Sequence, residues 1–170
     1  MLSVLSQPRA LYAMGAEGLS LQVGLAAMEE GDDRYRAGGA LDLSWHAYSA
    51  RGFYFEQNFG PVKRSTYLVE FTRSLVLPPI QMFAARVGLA PLLERTQLHY
   101  QASKDQAFNR NEYEWNVGLA FGIFWQFHDQ GRLRFQVAWD SVIFPAGLNG
   151  GILLATARKN LLTLSAGMKL

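Results

Sequence analysis

Asp42, Ser44 and His46 stand at alternate positions of one short run. An acid, a hydroxyl and an imidazole are the parts of a nucleophilic hydrolase. If the run is a strand, all three share a face. Neighbours two apart on a strand are separated by about 7 Å, too far for the ~3 Å contact between a nucleophile and its base. The spacing therefore names no catalytic residue, and other strands (Glu56, Glu70) would have to supply partners.

Other reactive side chains give no stronger signal. His99 and His128 stand alone in polar connections, and no spacing of His, Asp or Glu matches a zinc or calcium site. The chain has no cysteine, which removes disulfides and thiolate chemistry. No metal or cofactor is expected. Asn149-Gly150-Gly151 is a turn signal, not a phosphate cradle. The net charge of +2, with no basic stripe, argues against a nucleic-acid partner.

The elements that must position these residues are strands. Apolar residues recur every second position. Leucine and valine alternate with small or polar residues over 19–26, and Leu41, Leu43 and Trp45 oppose Asp42, Ser44 and His46. In the third run Phe53 and Phe55 oppose Tyr54 and Glu56; in the fourth Tyr67, Val69 and Phe71 oppose Glu70 and Thr72. Phe83, Val87 and Leu89 oppose Arg86 and Gly88 in the fifth run. Tyr113, Trp115, Val117, Leu119, Phe121, Ile123 and Trp125 oppose Glu114, Asn116, Gly118 and Gly122 in the sixth. The seventh sets Leu133, Phe135, Val137 and Trp139 against Arg134, Gln136 and Asp140, and the eighth sets Leu162, Leu164, Met168 and Leu170 against Ser165, Gly167 and Lys169. Eight strands follow, several near the ~9–11 residues that cross a bilayer with tilt. No apolar run approaches the length of a membrane helix.

The links predict an up-and-down order. Those at 29–33, 95–111 and 144–159 are longer; those at 49–51 and 128–131 are tight; 60–63 is short, and the fourth carries Pro78-Pro79. Long outer loops and short periplasmic turns are the asymmetry of bacterial outer-membrane barrels, and this alternation puts both termini in the periplasm. The 170 residues suit one domain, 1–170, without repeats. The start, residues 1–8, lacks a basic segment followed by a full apolar one. An exported protein needs such a leader, so this form reads as mature or re-engineered, with Met1 added.

A soluble barrel of lipocalin type would bury the apolar face. Two features favour lipid instead. Charged residues are 18% of the chain, against about 25% in a soluble domain, and the faces opposite the large apolar residues hold glycine, alanine and serine, which suit a crowded lumen. Trp45, Tyr113, Trp115, Trp125 and Trp139 lie on apolar faces, as an aromatic girdle would. The expected fold is an all-β, antiparallel, up-and-down transmembrane barrel.

The ending that carries Leu164, Gly167, Met168 and Leu170 resembles the C-terminal signal read by outer-membrane assembly machinery, with Leu170 in place of the usual aromatic residue. Strand number and loop asymmetry resemble small OmpA/OmpX-type barrels across nearly the whole chain. The resemblance implies a Gram-negative outer membrane, contact with its lipid and lipopolysaccharide, and passage through the assembly machinery.

With polar faces turned inward, Asp42, His46, Glu56, Glu70, Glu114 and Asp140 meet Arg86, Arg134 and Lys169 in the lumen. Acids and bases roughly balance, as a salt-bridged plug requires. The reading is a closed, non-enzymatic barrel with a structural, adhesive or partner-docking role through the 95–111 and 144–159 loops. One alternative is an OmpW-like, porin-like conduit for ions or apolar solutes. Another is a lipid-modifying hydrolase resembling lipid A deacylases.

Overall fold

The computed structural model describes residues 18–30, 34–76, 83–103, 106–128, 133–149 and 152–170. The leader reading of residues 1–8 and the Pro78-Pro79 link lie outside them. Eight strands form: β1 (Leu19–Glu30), β2 (Arg34–Trp45), β3 (Tyr48–Phe59), β4 (Val62–Val76), β5 (Phe83–Ser103), β6 (Gln106–His128), β7 (Leu133–Asn149) and β8 (Ile152–Lys169). Each pairs antiparallel with the next, and β1 pairs with β8 from Ser20–Lys169 to Glu29–Asn160, which closes the barrel. Closure is what hydrocarbon demands, because every backbone N–H and C=O must find a partner within the sheet.

The period-two pattern sets the two faces. Leu25 is 73% exposed on the outer wall, and Val23, Leu41, Leu89, Val117 and Leu164 stand out with it. Met28, Phe55, Leu68, Val142 and Leu161 are buried inside. A continuous outer wall of leucine, valine and aromatic rings is far more apolar surface than a water-soluble monomer exposes. The apolar faces point outward, so the lipocalin-type alternative is overturned.

Strand three differs from expectation. The tight link lies at His46-Ala47, with His46 in the left-handed region (φ 54°), not at 49–51. Arg51 is therefore a strand residue, opposite both Asp42 and Glu70. Pairing with those acids turns Arg51 inward. Phe53 and Phe55 follow it into the lumen, and Tyr54 and Glu56 turn out. A strand with one face of phenylalanine and the other of tyrosine and glutamate has no parity of its own; its neighbours assign it.

The long loops differ too. The 95–111 and 144–159 segments continue the ladders: Arg95 opposes Tyr113, Gln101 opposes Ala107, Phe144 opposes Ala157 and Asn149 opposes Ile152. Beyond the membrane a hairpin needs no apolar face, so the alternation fades from the sequence while the backbone pairing persists. The outer connections are short; what is long is the reach of two hairpins.

Candidate functional site

The strands that cross the barrel bring five charged side chains to one level of the lumen. Arg51 on β3 is the hub. Its Nη1 donates to Asp140 Oδ2 at 2.6 Å and to Glu70 Oε2 at 3.1 Å. Its Nε stands 3.2 Å from Asp42 Oδ2, an ion pair without hydrogen-bond alignment. Arg86 on β5 grips the same Asp140 through both Nε and Nη2, the bidentate fork that a guanidinium offers a carboxylate. All five side chains are buried. Gly122 on β6 makes room, since a Cβ there would collide with Asp140 Oδ1.

Apolar layers flank this charged layer. The Arg51 guanidinium lies 4.8 Å from the Phe53 ring centroid, and that of Arg86 lies 5.2 Å from Phe124. Phe53 belongs to a cluster with Met28, Phe55, Leu68, Phe144 and Leu161, on the side toward the hairpin tips. Phe124 packs with Ala84 and Ala138 on the side where β1 begins and β8 ends. Beyond the larger cluster the far mouth is polar again. Lys159 Nζ donates to Glu94 Oε1 at 2.6 Å, Thr66 Oγ1 donates to the same oxygen at 3.1 Å, and Arg36 Nη1 donates to Thr66 at 3.0 Å.

Of the residues assigned to the lumen from sequence, Asp42, Glu70, Arg86 and Asp140 meet in the layer. Arg134 is buried nearer the mouth beside the β1 start, and Lys169 is half-buried at that mouth. Three stand elsewhere. His46 is exposed at the β2–β3 turn, its ring 4.9 Å from that of Trp45. Glu56 is exposed on the outer wall, because β3 takes the opposite parity. Glu114 has lumen parity but stands beyond the rim, exposed on the projecting part of β6. Arg51, the hub, is absent from the sequence-derived set. The signal that could have found it is the acid on each neighbouring strand, Asp42 and Glu70, which leaves a buried cation to be supplied.

Asp42, Ser44 and His46 do not come together. Asp42 faces Arg51, the Ser44 and Ser20 hydroxyls share a hydrogen bond of 2.5 Å, and His46 points into the turn region. Among the described residues no group of three or more His, Asp or Glu is placed to hold a metal.

The aromatic residues sit on the outer wall. Trp45 ends β2 beside the tight turn, and Trp125 stacks on Phe83 at 5.5 Å near the same end of the barrel. Tyr113 and Trp115 stand toward the far end, and Trp139 lies in the body of β7. Tyr54 and Tyr67, 5.1 Å apart, mark the outer edge of the apolar band on β3 and β4. Just beyond them the Tyr54 hydroxyl donates to Glu56 at 2.5 Å and Lys63 Nζ stands 2.9 Å from it. These two partners, Tyr54 first, hold the exposed Glu56 carboxyl below its ordinary range.

The sequence matches no known family profile. No curated protein matches it. Solved structures do. Ail, the attachment invasion locus protein of Yersinia pestis, superposes with a TM-score of 0.52 at 14% identity, covering 91% of this chain and 99% of that one. Ail in complex with the heparin analogue sucrose octasulfate gives 0.53, with the same identity and coverage. The N-terminal β-barrel domain of Pseudomonas aeruginosa OprF gives 0.48 at 10% identity, covering 89% and 97%. The chain has the closed eight-stranded fold of the small outer-membrane barrels.

Proposed function

We propose that this protein is an integral barrel of a bacterial outer membrane, both termini periplasmic, that conducts nothing through its lumen and works through its projecting hairpins in a structural, adhesive or partner-docking role. The observation that carries this reading is the charged layer of Arg51, Arg86, Asp42, Glu70 and Asp140 held between Phe53 and Phe124. Ion pairs that bridge opposite walls, with apolar side chains on both sides, leave no continuous wet path. β5 and β6 run 21 and 23 residues, about twice what a bilayer crossing requires, so their excess stands outside the membrane, where a partner can reach it. The outward Leu164, Met168 and Leu170 at the end of β8 suit the assembly machinery, and the outer wall suits lipid and lipopolysaccharide.

Planar-bilayer recording tests this. The reconstituted barrel should give no steady single-channel steps. Reproducible ion-conducting steps from the folded protein would replace the display reading with a conduit.

A further inference from the structure

β3 turns small residues outward where its neighbours turn large ones. Ala50 and Gly52 lie on the outer face, between Leu43 and Leu41 on β2 and Phe71 and Val69 on β4. The four flanking side chains are exposed, so they stand as walls above a low floor. Two hollows mark that floor, one of about 560 Å³ over Ala50 and one of about 410 Å³ over Gly52. They occupy successive rungs of the ladder and form one furrow along β3. A Cβ at Gly52 would meet nothing within 4 Å, so no neighbour in the fold demands glycine there. Glycine weakens a strand interior, and its use there is to let a ligand or another chain approach closely. From Tyr48 to Tyr54 the furrow runs about 20 Å at ~3.3 Å per residue, a length suited to one extended acyl chain.

The two ends of the furrow differ. Tyr54 and Tyr67 close one of them, their rings 5.1 Å apart. At the other, Arg73 on β4 stands opposite Tyr48, its guanidinium 5.9 Å from the ring centroid, and Trp45 flanks Tyr48 on β2. The Ser74 N–H donates to the Ala47 carbonyl at 2.7 Å, which holds this corner against the tight turn. Tyrosine and tryptophan at that level suit the boundary between headgroups and chains. Among the described residues, the outer faces of β2 to β5 carry no carboxylate at this end; Glu56 lies beyond the other end, 2.9 Å from Lys63. Arg73 is the charge that a headgroup meets here, and a guanidinium matches the geometry of a phosphate.

We propose that this furrow binds one phospholipid of net negative charge, its phosphate on Arg73 and one acyl chain laid over Ala50 and Gly52. A zwitterionic headgroup would bring an ammonium to a corner that offers it no acid. The site rests on the membrane reading above, which makes this the periplasmic end.

Native mass spectrometry tests this on the whole protein, released from detergent micelles that hold equal amounts of phosphatidylglycerol and phosphatidylcholine with the same chains. The parent should retain one lipid and favour phosphatidylglycerol about tenfold, as one charge-assisted contact implies. Gly52→Leu, checked for folding by heat-modifiable migration, should shed the lipid, because its side chain fills the floor. Arg73→Gln should keep a lipid and lose the preference. No retained lipid in the parent, equal retention of the two headgroups, or either variant behaving as the parent overturns the proposal. A parent dimer that Gly52→Leu dissociates would give the furrow to a second copy and overturn it too. Solubility separates the readings: a barrel that folds in detergent yet holds no preferred lipid sinks the furrow alone, whereas one that folds and stays monomeric without detergent or lipid sinks the membrane reading with it.

Discussion

Arg51 on β3 and Asp140 on β7 are 89 positions apart in the chain and 2.6 Å apart across the lumen. This bond crosses the barrel rather than following its wall. It ties strands that share no ladder, at the level where the buried charges gather.

Arg51→Ala should be among the most damaging single substitutions. Removing one partner of a buried ion pair costs about 3–5 kcal/mol, and here Asp42, Glu70 and Asp140 would share Arg86 alone. Urea-induced unfolding in lipid vesicles should show the loss, and bilayer recording should show a leak absent from the parent. A variant as stable and silent as the parent would mean that the apolar layers alone close the lumen.

Gly122→Ala tests the fit around Asp140. The added methyl would occupy the space of Asp140 Oδ1. Overpacking costs about 1–3 kcal/mol, and the bidentate grip of Arg86 would open. Heat-modifiable migration at rising temperature should place the transition below that of the parent.

Leu25→Arg distinguishes lipid from water around the outer wall. An exposed substitution in water changes stability by about 0.5 kcal/mol at most, whereas arginine on the lipid face of a barrel costs about 2–4 kcal/mol at the bilayer midplane. Leu25 lies mid-strand and is exposed. Unfolding from bilayers should show the larger value.

Parity along β3 can be read by cysteine scanning. Tyr54→Cys should react with a lipid-soluble maleimide, and Phe55→Cys, at a position wholly buried in the lumen, should resist it in the folded barrel. Reversed reactivity would restore the arrangement expected from the sequence.

Glu56 sets a local pH dependence. Its carboxyl is held low by Tyr54 and Lys63, so the contribution of this contact is present above the unfolded carboxylate range and is lost as pH falls through the lowered folded value. A carbon-detected NMR titration should place Glu56 below an ordinary glutamate, and Lys63→Met should move it back up.

The sequence alone determined the strands, their number and the lipid-facing wall. Each follows from a local signal, a period of two with large apolar residues on one face, as from Tyr113 to Trp125 or Leu162 to Leu170. Asp42, Glu70, Arg86 and Asp140 were legible for the same reason, each being a charge opposite an apolar neighbour. Only the tertiary structure decided the parity of β3, the place of Arg51 and the reach of the outer hairpins. Arg51 looks like a turn residue until Asp42 and Glu70 are set beside it, and Glu56 looks like a lumen residue until Arg51 fixes the face. The hairpin segments at 95–111 and 144–159 read as loops in the sequence, while their backbones pair out to Gln101–Ala107 and Asn149–Ile152. In all three cases the deciding interaction is pairing between strands, which is a property of register and not of any run of residues.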